Sequence, residues 1–94
     1  MLSITSAKVP PDSAPAVIEA YRDVTSRLPA AVLHTALVRG DGDDWRIVTL
    51  WRSREQLDDY RRRVGTPAAI KLFRDAGAEP TVALLEVVHE AATS

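Results

Sequence analysis

The sequence predicts an α+β domain: a four-stranded antiparallel sheet with two helical segments packed on one face. Three observations carry this. Apolar residues switch along the chain between a strand-like period and a helix-like one, in the order strand, helix, strand, strand, helix, strand. Turn and breaker residues fall between these segments. The strand segments are apolar on both parities, which predicts a sheet buried on both faces.

The elements follow in order. Leu2 to Val9 contains Ile4, Thr5 and Val9 and reads as a first strand, stopped by the Pro10–Pro11 pair. Asp12 or Ser13 is placed to cap the first helix, with Pro15 in its opening turn. Val17, Ile18, Tyr21, Val24 and Leu28 form its apolar face, while Glu19, Arg22, Asp23 and Arg27 lie opposite. Pro29 ends it. Residues 30–40 form a second strand, with Val32, Ala36 and Val38 expected on one face and Leu33 and Leu37 on the other. The glycine- and aspartate-rich run from Gly40 to Asp43 is a hairpin signal.

The third strand, WRIVTLWR, holds both tryptophans of the chain. Trp45 is expected at a rim or interface and Trp51 at the corner where strand meets helix. Ser53 and Gln56 make a capping box for the next helix, whose buried face is marked by Leu57, Tyr60 and Val64. Gly65 to Pro67 breaks that helix. Thr66 is expected to cap a further segment carrying Ile70, Phe73 and Ala76, stopped at Gly77. Thr81 to Ala91 reads as the fourth strand. The order is that of the ferredoxin-like βαββαβ plan, over a single domain, 1–94.

Composition limits the function. Ninety-four residues carry a net charge of −1, no cysteine and two histidines. Disulfides and thiolate metal sites are excluded. The charge balance gives no electrostatic footprint for nucleic acid. No run approaches the ~20 apolar residues of a membrane helix. The first residues lack the basic start and apolar run of a signal peptide, so a cytoplasmic location is expected. The aspartates at 41, 43 and 44 do not form an EF-hand, because the twelfth position counted from Asp41 is Arg52. No nucleophile elbow, P-loop or dinucleotide fingerprint is present.

Two helical segments cover only one face of such a sheet. Leaving about eight apolar side chains wet on the other would forgo on the order of 10–20 kcal/mol of gross burial. A second copy laid face to face, in a two-fold dimer, is the simplest cover.

Val48 to Phe73, VTLWRSREQLDDYRRRVGTPAAIKLF, resembles the antibiotic biosynthesis monooxygenase-like domain of the dimeric α/β barrel superfamily. Trp51, Ser53, Glu55 to Leu57, Pro67 and Phe73 fit its pattern. Tyr60 stands where members often have a histidine, and Thr49 where many have an acid. Haem-degrading relatives use an asparagine on the first strand and a histidine on the second helix. This chain has no asparagine and lacks that histidine, so haem chemistry is not expected.

The resemblance implies a small cofactor-independent oxygenase acting on an aromatic, polyketide-like or quinol molecule. His34 would serve as base, Tyr60 as hydrogen-bond donor and Trp51 as wall or donor, with Tyr21 and Phe73 contacting substrate. No cofactor and no metal are expected. The alternative is a dimer of the same architecture that holds a small ligand, or none, without turnover. Each side chain also has a plain structural use: Trp51, Tyr60, Tyr21 and Phe73 as core, His34 as a residue of the dimer face. His89, near the C-terminus, is peripheral.

Overall fold

A computed structural model describes residues 1–93 of the chain. Four strands form one antiparallel sheet: β1 (Leu2–Lys8), β2 (Val32–Arg39), β3 (Asp44–Trp51) and β4 (Thr81–Leu85), in the order β2-β3-β1-β4. Three helices accompany it: α1 (Ala14–Thr25), α2 (Arg54–Val64) and α3 (Ala68–Asp75). This is the predicted α+β, ferredoxin-like order, with the second helical segment divided in two.

Local chemistry explains most boundaries. A short 3-10 turn, Pro11–Ser13, precedes α1, and Ser13 makes no side-chain cap there, contrary to expectation. Thr25 Oγ1 donates to the Tyr21 carbonyl and Ser26 Oγ to the Asp23 carbonyl, so hydroxyls close α1 ahead of Pro29. The β2–β3 hairpin is closed by Gly40 N–H donating to the Asp44 carbonyl at 2.8 Å, and Gly42 takes φ +68°, which favours glycine. Ser53 caps α2 as predicted: its Oγ accepts from Gln56 N at 3.1 Å. Gly65, at φ +73°, separates α2 from α3.

Register decides which side chains meet the helices. Trp45, Ile47, Thr49 and Trp51 of β3 are all buried on that side. Their partners on β1 are Ala7, Thr5 and Ser3; on β2 they are Arg39, Leu37, Thr35 and Val32. A bulge between Val32 and His34 breaks strict alternation in β2. Val32 therefore shares the helix side with Leu37, rather than a face with Ala36 and Val38. Trp45 is 5% exposed, with the Arg39 guanidinium 5.4 Å from its ring centroid. It is a core residue of the helix side, which corrects the rim assignment.

The helix side contains two separate packed clusters. One joins Val9, Val17, Trp45, Ile47, Leu72 and Phe73. The other joins Ala31, Trp51 and Leu57, with Tyr60 and Leu84 against it. Among the described residues, no helix lies over the opposite sheet face. It carries Leu2, Ile4, Val38, Val48, Leu50 and Leu85, of which Val38 and Leu85 are exposed. The fourth strand ends at Leu85, short of the expected Ala91, and residues 86–93 continue without regular structure. No helix among the described residues is long and apolar enough to cross a membrane.

Candidate functional site

The two core clusters do not meet, and the gap between them is a pocket. It is half-open, with a cavity volume of about 90 Å³. Its floor is a row across the sheet. Thr35, Thr49 and Ser3 stand side by side on β2, β3 and β1, with Thr5 beside them. Short hydroxyl side chains here leave volume that larger apolar residues would fill. Ile47 and Leu72 from one cluster, and Trp51 and Leu57 from the other, form facing walls.

α2 and α3 supply the roof. Tyr60 and Arg61 from α2, and Pro67, Ala68 and Ala69 from the start of α3, border the space. The Tyr60 ring lies 5.1 Å from that of Trp51, tilted by 41°. Its hydroxyl accepts the Ala68 backbone N–H at 3.1 Å. That N–H opens α3, where Pro67 is the N-cap and gives no side-chain bond. Tyr60 therefore caps α3 across the helix break, the role expected of Thr66.

The direction of the hydrogen bonds sets what each group can offer a ligand. Trp51 Nε1–H donates to Ser3 Oγ at 3.0 Å, so the indole is engaged with the floor. Tyr21 donates its hydroxyl proton to Thr35 Oγ1 at 3.0 Å, and Thr35 and Thr49 share a further bond at 3.1 Å. Tyr60 only accepts, which leaves its O–H proton available. Receiving the Ala68 N–H polarises that hydroxyl and strengthens it as a donor. No buried side-chain nitrogen or oxygen among the described residues lacks a partner.

Three of the five side chains singled out in the sequence meet here: Trp51, Tyr60 and Tyr21 line one pocket. Two do not. His34 pairs with Leu50 in the β2–β3 register and lies exposed on the uncovered face, with Val48 and Leu50. The sheet separates it from the pocket, so it cannot act as base there. The bulge sets the alternation around it. Phe73 is fully buried in the first cluster and does not border the pocket, which makes it core rather than a substrate contact. Sequence reasoning missed Ser3, Thr5 and Thr35. Their signal was a hydroxyl residue at buried parity on each of the strands that form the floor.

At the level of sequence, no protein-family model matches the chain, and no curated protein matches it. Solved structures do. A proposed antibiotic biosynthesis monooxygenase from Deinococcus radiodurans superposes with a TM-score of 0.76 at 10% identity, over 99% of this chain and 97% of that one. Rv0793 from Mycobacterium tuberculosis gives 0.64 at 23% identity, over 97% and 98%. Another antibiotic biosynthesis monooxygenase structure gives 0.66 at 19%, over 95% and 100%. The chain has the antibiotic biosynthesis monooxygenase-like fold over nearly its whole length.

Proposed function

We propose that, on this monooxygenase-like fold, the chain binds an aromatic small molecule in the pocket beside Trp51 and oxidises it with molecular oxygen, without a cofactor. The observation that carries the reading is the pocket itself: apolar walls, a floor of hydroxyls, and a polarised Tyr60 hydroxyl with its proton free. Flat apolar walls suit a fused-ring frame, and the hydroxyl row suits ring oxygens. The names of the structural neighbours support the same chemistry.

For a hydroxyanthrone or similar phenol, the substrate supplies its own electrons. The phenolic system loses a proton, and the resulting electron-rich anion reacts with oxygen at a ring methylene. The net change takes a methylene and one O₂ to a carbonyl and one water. Tyr60 donates to the oxygen on which negative charge develops. His34 has no part in it. Among the described residues no imidazole or carboxylate borders the pocket, so the first proton leaves to solvent at the mouth.

A second reading, binding without turnover, is favoured by that same want of a base in the pocket. In both readings the uncovered sheet face is closed by a second copy of the chain, because its apolar residues otherwise remain wet. Oxygen-electrode traces with a hydroxyanthrone, alongside calorimetric titration of its anthraquinone, separate the two. Turnover that Tyr60→Phe slows and His34→Ala leaves alone supports oxygenation. Tight binding with oxygen uptake no faster than in buffer leaves only the binding module.

A further inference from the structure

We propose that Arg61 makes this pocket select aromatic ligands that carry an anionic oxygen, a carboxylate or a phenolate, at the end facing the mouth. The inference rests on the pocket being a ligand site, and it adds the charge class of the ligand. Among the described residues, Arg61 is the one charged residue bordering the pocket, and the others there are neutral. Its place on α2 is unusual. Leu57 and Tyr60 face inward while Val64, expected with them, is exposed, and Arg61 stands four residues after Leu57, one turn further on the same side. A long side chain there lays its stem along the wall and holds its head at the solvent edge.

The other arginines in and beside α2 have partners. Arg54 pairs with Asp58 at 3.8 Å, and Arg62 and Arg63 pair with Asp59 at 3.7 and 3.3 Å. Arg52 Nε donates to the Ala30 carbonyl at 2.7 Å. Among the described residues, Arg61 has no carboxylate within 4.0 Å. An exposed cation at the rim of an apolar pocket, with all five N–H donors available, matches an anionic oxygen brought by the ligand. In an oxygenation reaction the same contact favours the ionised phenol over the neutral one. Arg61 then supplies by charge what a base would supply by taking the proton, and the proton itself passes to water.

Two ligand pairs test this by isothermal titration at pH 8: naphthalene-2-carboxylate against its carboxamide, and 4-nitro-1-naphtholate against its methyl ether. The expected result is an anion preference of about tenfold in at least one pair, the size of a charge-assisted hydrogen bond at a solvent edge. The pair that shows it identifies the oxygen. Arg61→Gln should remove the preference while leaving the Kd of the neutral member in place, and Arg61→Lys should keep part of it. Raising the salt from 0.05 to 0.5 M should weaken only the anion, by about threefold. Equal binding of anion and neutral partner to the unaltered protein, or a preference that survives Arg61→Gln, overturns the assignment while the pocket stands. Failure of all four probes to bind rejects the ligand site and the inference with it. Anion preference without oxygen uptake keeps the inference and rejects only the oxygenase.

Discussion

Replacing Tyr60 with phenylalanine separates its two tasks. The ring, 5.1 Å from Trp51, is retained, and only the hydroxyl is lost. The Ala68 N–H at the start of α3 loses its 3.1 Å acceptor in a half-buried setting, where water replaces it imperfectly. A hydrogen bond of this kind contributes about 1 kcal/mol net. For a chain of this length, that lowers Tm by about 4–8 °C. The pocket loses its free O–H donor at the same time. Binding of a hydroxyanthrone should weaken by a further factor of about five, the equivalent of roughly 1 kcal/mol. Thermal unfolding by circular dichroism reads the first effect, and titration well below the lowered Tm reads the second. An unchanged Tm would show that the hydroxyl does not cap α3. A lowered Tm with full affinity would remove Tyr60 from the donor role and leave it as structure alone.

Other substitutions probe the remaining assignments. Phe73→Ala, in the closed cluster, should cost about 3–5 kcal/mol and leave little folded protein at 37 °C; a well-folded variant impaired only in ligand affinity would return Phe73 to the site. Ser53→Ala removes the α2 cap and should cost about 1 kcal/mol in urea unfolding, whereas no change in midpoint would deny the cap a stabilising role. Leu50→Glu places a charge at the centre of the uncovered face and should yield a monomer by sedimentation velocity. A dimer that tolerates it uses another surface.

The fold was legible because each element announced itself through side-chain chemistry. Ser53 caps α2, glycine sits at the β2–β3 hairpin and at the break after α2, and the strands are apolar on both parities. Where reading failed, the missing information was geometric. One extra residue at Leu33 moves Val32 to the other face of the sheet, and nothing in AAVLHTALV marks a bulge. With alternation uncertain there, His34 could be placed on neither side. The strand-like pattern of the fourth strand continues through Glu86, Val87 and Val88, but β1 pairs only as far as the Leu2–Leu85 match. Propensity alone does not extend a strand past its neighbour.

The pocket shows why a site can be invisible in a sequence whose fold is plain. Two departures from ideal packing, far apart in the chain, coincide in space. On the sheet, Ser3, Thr35 and Thr49 occupy positions where the core would take larger apolar side chains. In the helical layer, the glycine at 65 and the proline at 67 divide one helix into two and open a seam above that row. Either departure alone would be closed by neighbouring side chains settling into the space. Together they leave a gap that Tyr60 bridges from above, through Ala68, and Trp51 from the side, through Ser3. Both bridges use polar atoms to hold large rings at the edge of a void rather than to fill it. Substituting Thr49 with valine removes its bond to Thr35 and should cost about 1 kcal/mol of stability in either case; if the void is incidental, hydroxylated aromatics and their unsubstituted frames should respond alike. If the hydroxyl row is there to meet a ligand, Thr49→Val should weaken binding of hydroxylated aromatics more than that of their unsubstituted frames. The difference between those two affinities decides whether the gap is a packing defect or a site.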